Sequence, residues 1–220
     1  MNPAHANRHG GPLVIAIDGP AASGKGTLAR RLALHYGLPH LDTGLLYRAV
    51  ALALIDAGTD LDDAGAATRA AGALSAERLS DPRLRERAMG EAASRVSSVP
   101  EVRAALLSWQ RRFAEGAQGA VLDGRDIGTV VCPGAPIKLF ITAAPEERAR
   151  RRHLELLGRG EETTLAAILA DIRARDARDS NRAAAPLKAA EDAVVLDTTE
   201  LDADAAFAEA VAIAERLKTA

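Results

Sequence analysis

Cysteine is almost missing. Cys132 stands alone among 220 residues, so no internal disulfide framework exists, and the thiol is expected to act as a small buried hydrophobe. Long apolar runs are missing too. The longest covers seven residues, 49–55, against the roughly 20 that a membrane-spanning helix needs. The first eleven residues, MNPAHANRHGG, lack the apolar stretch of a secretory signal and read as a frayed polar leader. Charge of one sign is not in excess: 28 basic side chains face 30 acidic ones, for a net charge of −2. No whole-protein basic field therefore draws in nucleic acid or a membrane surface. Lysine is rare, at 4 of the 28 basic residues, and the other 24 are arginine. Together with 49 alanines this is mostly a GC-rich coding bias. The functional remainder is that arginine grips phosphate bidentately, so what matters is where the arginines fall. No Ser/His/Asp or Cys/His arrangement is visible, and the five histidines cluster with nothing.

What is present suits one core of 23.0 kDa, with 48% apolar and 26% charged residues. Five short apolar runs, at 13–17, 39–41, 120–122, 137–141 and 193–196, read as strands. Most are continuous rather than alternating, as in strands buried on both faces of a parallel sheet. Helical patterns lie between them, at 25–36, 45–56, 83–96, 101–115, 145–157, 164–178 and 203–217. Gly37 is placed to end the first, Pro145 with Glu146 and Glu147 to open another, and Asp202 to cap the last. Strand–helix alternation predicts an α/β fold with a doubly wound, parallel, five-stranded sheet. Residues 58–99 break the alternation and read as a helical insertion, and Gly158-Arg159-Gly160 as a mobile loop.

After the first strand comes Asp18-Gly19-Pro20-Ala21-Ala22-Ser23-Gly24-Lys25-Gly26-Thr27, followed by a helix. Glycines let backbone N–H groups approach phosphate oxygens closely, and the helix N-terminus adds its dipole. Gly19, Pro20, Ala21, Ala22, Ser23, Gly24, Lys25, Gly26 and Thr27 are thus the candidate ATP-binding loop, with Lys25 reaching the β- and γ-phosphates. Gly26 stands where the general motif has Ser or Thr, so Thr27 serves either Mg²⁺ or a phosphate.

Four more segments carry polar residues where a phosphate enzyme needs them. Asp42-Thr43-Gly44-Leu45-Leu46-Tyr47-Arg48 and Asp123-Gly124-Arg125-Asp126-Ile127-Gly128-Thr129 follow strands, where ligands bind in open α/β sheets. Asp123 ends an apolar strand, the place of an acid acting on magnesium and equally of a turn residue. In the third, from Arg173 to Arg182, positions 175, 178, 179 and 182 share one helical face, which also suits a solvated stripe of alternating charge. The fourth is Arg148-Ala149-Arg150-Arg151-Arg152, ahead of the glycine-interrupted loop. For any one of these arginines, solvated surface is the simpler reading.

Together these segments resemble the cytidylate kinases, over essentially 13–217. The Gly-Lys-Gly-Thr loop alone says nucleotide kinase. Asp-Thr-Gly-x-x-Tyr-Arg, Asp-Gly-Arg-Asp-x-Gly-Thr-Val-Val and Arg-Asp-x-Arg-Asp-x-Asn-Arg are far more specific. The resemblance implies a P-loop kinase that moves the γ-phosphoryl of ATP to CMP or dCMP with Mg²⁺. It implies that Arg48, Arg125 and Arg182 hold the acceptor phosphate, that Ser94, Arg103 and Asp126 bond the cytosine edge, and that Arg175 and Asp179 take the ribose hydroxyls. Thr43 and Tyr47 would line the acceptor pocket. Lys25, Arg125, Arg151, Arg152 and Arg182 are the catalytic candidates, with Arg151 or Arg152 reaching the transferring phosphoryl from a closing lid. Thr27 and Asp123 are the metal candidates, directly or through water. The expected organisation is a leader at 1–11, a kinase core at 12–57 and 100–220, a monophosphate-binding insert at 58–99, and a lid at 148–163. The small antiparallel sheet that many relatives carry in the insert has no counterpart here, since about 71–84 lacks β-branched runs. A monomer in the cytoplasm, acting on small molecules and on neither nucleic acid nor membrane, is the expected setting. A P-loop kinase of another acceptor (UMP, AMP or a shikimate-like molecule) and a non-catalytic nucleotide-binding module are the alternatives.

Overall fold

The structure is a computed structural model and describes residues 11–219, so the expected leader lies, apart from Gly11, outside the described residues. Strands β1 (Val14–Asp18), β2 (His40–Asp42), β3 (Ala120–Gly124), β4 (Ile137–Thr142) and β5 (Val194–Asp197) form one parallel sheet in the order β2-β3-β1-β4-β5. The helices are α1 (Lys25–Tyr36), α2 (Thr43–Asp56), α3 (Ala64–Gly72), α4 (Arg87–Val96), α5 (Pro100–Ala114), α6 (Pro145–Gly158), α7 (Leu165–Asn181) and α8 (Ala203–Thr219).

Burial accounts for the strand order. β3 is buried at every position, and β1 at all but its first. β5, at the edge, leaves Val195 56% exposed. In register, Ile17 lies opposite Asp123, while Asp18 faces Gly124 on one side and Phe140 on the other. The chain leaves β1 toward β2 and leaves β4 toward β5, in opposite directions. Neighbouring strands that diverge in this way open a crevice at their carboxyl ends. Apolar positions of α1 (Leu28, Leu32, Tyr36) and α8 (Ala210, Ile213, Ala214) complete one core with Ile15, Ile17, Leu139 and Ile141 of the sheet. Gly37, in the left-handed region at φ 63°, ends α1, and Asp202 accepts the N–H groups of Asp204 and Ala205 at the start of α8. α6 and α7 bury a second, smaller cluster of Ala149, Leu156, Ile168 and Ile172.

The described residues divide into two compact units, one comprising those up to Leu41 and from Ala114 onward, the other Asp42–Phe113. The second unit is helical. In it α2 packs on α3 and α4, burying Leu46, Val50, Leu54, Ala67, Met89, Ala93 and Val96. Its surface is laced with ion pairs, Arg83 to Asp56 and Asp81, and Arg95 to Asp60 and Asp62. Such exposed pairs contribute little each.

Several expectations need correction. The single helix expected over 83–96 is two pieces, a 3₁₀ turn at Pro82–Arg85 and then α4. Asp81 caps the turn by accepting the Arg83 N–H, and Glu86, extended at φ −63° and ψ 151°, separates it from α4. Helix α3 and a further 3₁₀ turn, Ala76–Ser80, lie within 58–99, the stretch expected as a helical insertion. Arg182 lies beyond α7 with ψ 137°, so it leaves the helical face expected of 175, 178, 179 and 182. Cys132 is only half-buried, and its N–H bonds Ile127 O at the end of an unanticipated π-helical turn, Ile127–Val131.

Candidate active site

The phosphate loop leaves the carboxyl end of the central strand and runs into α1. Gly19 has φ 149°, and a Cβ there would stand 2.0 Å from the backbone oxygen of Ile141 at the end of β4. Only glycine allows this approach. Gly24, at φ 85°, is the N-cap of α1. Lys25, 9% exposed, folds back so that Nζ donates to Pro20 O at 3.1 Å. The Ser23 hydroxyl is buried in the loop with no hydrogen-bond partner. A buried, unsatisfied hydroxyl in a glycine-rich loop at a helix N-terminus fits a loop shaped for phosphate oxygens.

Beside the loop lies a cleft of about 320 Å³ within the same unit. Gly24, Thr27 and Leu28 line it on one side and Thr198, Leu201 and Ala203 on another. Arg151 also lines it, held by donation to Thr198 Oγ1 at 3.1 Å, Thr198 O at 2.5 Å and Glu147 at 2.8 Å. Hydrogen bonds from Arg150 hold the Glu147 carboxyl down at about 2, with Arg151 adding to them against the opposing effect of burial. Arg152, by contrast, pairs with Glu155, one turn further along α6. Two neighbours that the sequence treats as equivalent thus have different surroundings.

Asp18, 4% exposed, closes β1 immediately before the loop. Its carboxylate accepts two backbone N–H groups, Ile127 and Gly128, each at 2.8 Å. Burial pushes its pKa up to about 6 against the lowering effect of those bonds, with the Asp126 charge raising it further and Lys25 lowering it. Sequence reasoning passed over Asp18. Its signal was an acid at the end of an otherwise apolar central strand.

On β3, Asp123 receives His40 Nε2 at 2.7 Å on Oδ1, while Oδ2 lies 3.6 Å from the point where a Gly26 Cβ would stand. The carboxylate is therefore beside the start of α1. Asp126 is buried at 6% exposure, and its carbonyl accepts the N–H groups of Val130 and Val131. Arg125 donates from Nε to Asp179 Oδ2 at 2.8 Å. Arg175 and Arg182 approach the same carboxylate at 3.9 Å. Burial alone would raise the Asp179 carboxyl, but Arg125, Arg175 and Arg182 outweigh it and hold it below the usual range. This unit therefore brings Arg125, Arg175, Asp179 and Arg182 together.

In the other unit, Asp42 caps α2 by accepting the Gly44 N–H at 3.0 Å. Thr43 and Tyr47 are buried, and Arg48 Nη1 donates to Leu84 O at 2.8 Å. Ser94 is buried on α4, and the Arg103 guanidinium sits 5.4 Å above the Tyr47 ring while Nη1 donates to Ser97 O. That unit brings Tyr47 and Arg103 together.

A glycine-rich anion loop between the central strand and first helix of a parallel sheet defines a P-loop nucleotide-binding protein. The model of the cytidylate kinase family matches residues 15–216. A cytidylate kinase of Methylobacterium sp. (strain 4-46) is 74% identical over 203 residues, 92% of this chain and 97% of the relative. One of Methylocella silvestris is 65% identical, over 92% and 94% respectively. The solved structure of an uncharacterized protein from Eubacterium ventriosum ATCC 27560 shares the fold with a TM-score of 0.54 at 14% identity, covering 94% of this chain and 99% of that one. The chain belongs to the cytidylate kinase family.

Proposed function

We propose that this protein transfers the γ-phosphoryl group of ATP to CMP or dCMP, giving ADP and CDP or dCDP. The observation that carries the reading is the gathering of Arg125, Arg175 and Arg182 about Asp179 in the unit that also holds the phosphate loop. The acceptor phosphate has a second pKa of roughly 6 and is already ionised at neutral pH, so no general base is required. The barrier is repulsion between two anions. It falls when cationic donors fix both in line and neutralise the charge that shifts between them.

In this account the loop from Gly19 to Thr27 cradles the donor phosphates, and Lys25 exchanges Pro20 O for a phosphate oxygen. Arg48, Arg125 and Arg182 hold the acceptor phosphate. Arg175 and Asp179 take the ribose hydroxyls, while Ser94, Arg103 and Asp126 read the cytosine edge, with Thr43 and Tyr47 lining that pocket. Arg151 works on the donor side, where its place in the cleft supports it, and Arg152 reaches the transferring phosphoryl when the lid at 148–163 closes.

Thr27 and Asp123 would hold a magnesium ion carried in by ATP. Among the described residues no cluster of three or more His, Cys, Asp or Glu could hold a metal by itself, and one hydroxyl plus one carboxylate suits an ion that keeps phosphate and water ligands. When bound, the ion would supply charge neutralisation on the donor phosphates. The protein works as a cytoplasmic monomer on free nucleotides.

The test is a steady-state assay of ADP release with CMP, dCMP, UMP, AMP or no acceptor. Turnover with CMP and dCMP far above AMP and water is expected. Comparable turnover with UMP removes the assigned cytosine contact. ATP binding without transfer to any acceptor replaces the kinase with a binding module.

A further inference from the structure

Arg148 is a buried arginine with no part in the reaction described so far. It is 3% exposed in the first turn of α6, and its guanidinium reaches three parts of the chain. Nε donates to Ala143 O at 2.8 Å, just before the helix. Nη1 donates to Ala21 O in the phosphate loop at 3.0 Å and to Asp176 Oδ1 at 3.1 Å, and Nη2 donates to Asp176 Oδ2 at 2.6 Å. The planar fork is what lets one side chain meet the carboxylate bidentately and still reach the loop. Desolvating a guanidinium is costly, and a hydrophobic side chain could fill the same place. The position therefore calls for the geometry of these bonds.

The bond to Ala21 O matters for the anion cradle. Ala22 has φ 59°, which a residue with a side chain adopts only when its surroundings impose it. A trans peptide is planar, with its C=O and N–H pointing in opposite directions. Turning Ala21 C=O toward Arg148 therefore turns the Ala22 N–H away from it, and N–H groups of such a loop are what meet phosphate. The other end of the clamp, Asp176, stands on α7 beside Arg175 and three residues before Asp179, which accepts Arg125.

We infer that Arg148, paired with Asp176, is a positioning residue that couples the donor phosphate loop to helix α7, so that a nucleoside monophosphate on α7 tightens binding of the nucleoside triphosphate at the loop. The inference rests on the kinase reading for the identity of both ligands. Coupling between two sites is reciprocal, so the triphosphate must tighten the monophosphate by the same factor.

The experiment is isothermal titration calorimetry on the whole protein. The probe is the non-hydrolysable analogue adenylyl imidodiphosphate with magnesium, titrated with and without saturating CMP. The wild-type protein should bind the analogue at least about 5-fold more tightly with CMP present, and CMP should gain equally in the reverse titration. R148K keeps the charge but cannot span both partners, and D176N keeps the shape but loses the charge. Both should bring the ratio toward one while each ligand still binds alone. A merely structural clamp would lower the melting temperature and leave the ratio intact, and that result overturns the inference, as does a wild-type ratio of one. D176N, on a partly exposed carboxylate, decides the matter if R148K fails to fold. Phosphorylation of CMP alongside unchanged ratios in both variants removes the coupling and leaves the kinase reading standing. Absence of transfer to CMP by the wild type removes the kinase reading instead.

Discussion

Asp18→Asn separates the charge of one buried carboxylate from its hydrogen bonds. Folding lifts the Asp18 pKa from 3.8 to about 6, chiefly by desolvation, with the Ile127 and Gly128 N–H bonds offsetting part of that. A displacement of about two units corresponds to about 3 kcal/mol. The sign follows from proton binding: the folded state holds this proton more tightly than the unfolded chain. Asp18 therefore favours folding most below about 4, its contribution falls as pH rises through the window from 3.8 to about 6, and above that it is level. The D18N side chain has no proton to lose. Measured against wild type, D18N should gain about 3 kcal/mol between pH ~4 and pH ~7. A constant loss of about 1–3 kcal/mol opposes this gain, because the amide nitrogen cannot accept and one of the two N–H groups is left without its partner. Urea unfolding of both proteins across that pH range measures the difference. Parallel stability curves would refute the reasoning. The same substitution frees the backbone beside Arg125 and Asp126, so KM for CMP should rise more than KM for ATP.

Three further substitutions test separate parts of the account. Gly19→Ala puts a Cβ against Ile141 O at an unfavourable φ, and should cost at least about 2 kcal/mol in thermal or urea unfolding together with ATP binding in calorimetry. Asp126→Asn should lower the preference for CMP over UMP in kcat/KM, because the acid that accepts from the exocyclic amine becomes an amide that can also donate; an unchanged ratio assigns base reading elsewhere. Arg151→Ala should raise KM for ATP with a smaller change in kcat, whereas Arg125→Ala should lower kcat by about 10²–10³-fold. Equal effects of the two on kcat, read in the same coupled assay, would contradict the division between donor side and acceptor side.

Much of the fold was legible because its signals are local. The strands of the sheet are short apolar runs bounded by glycine, proline and acids, and the phosphate loop announces itself by glycines at fixed spacing around Lys25. Gly37 and Asp202 act at helix ends by local geometry and did what their types suggest. What escaped depends on partners distant in sequence. Arg148 sits in a run of arginines that looks uniform, yet it is buried against Asp176 and Ala21, while Arg150 and Arg151 pair with Glu147 and line the cleft. Asp18 is decided by amides more than a hundred residues away. The break between Pro82–Arg85 and α4 rests on the backbone of Glu86, which an alanine- and arginine-rich pattern does not signal.

The central claim is transfer from one phosphate to another, and ³¹P NMR of a mixture of ATP, magnesium, CMP and the protein observes it directly. The account predicts that ATP resonances give way to those of two diphosphates, ADP and CDP in equal amounts, with little inorganic phosphate. Inorganic phosphate growing in step with ADP while CMP persists would show water as the acceptor and contradict the account.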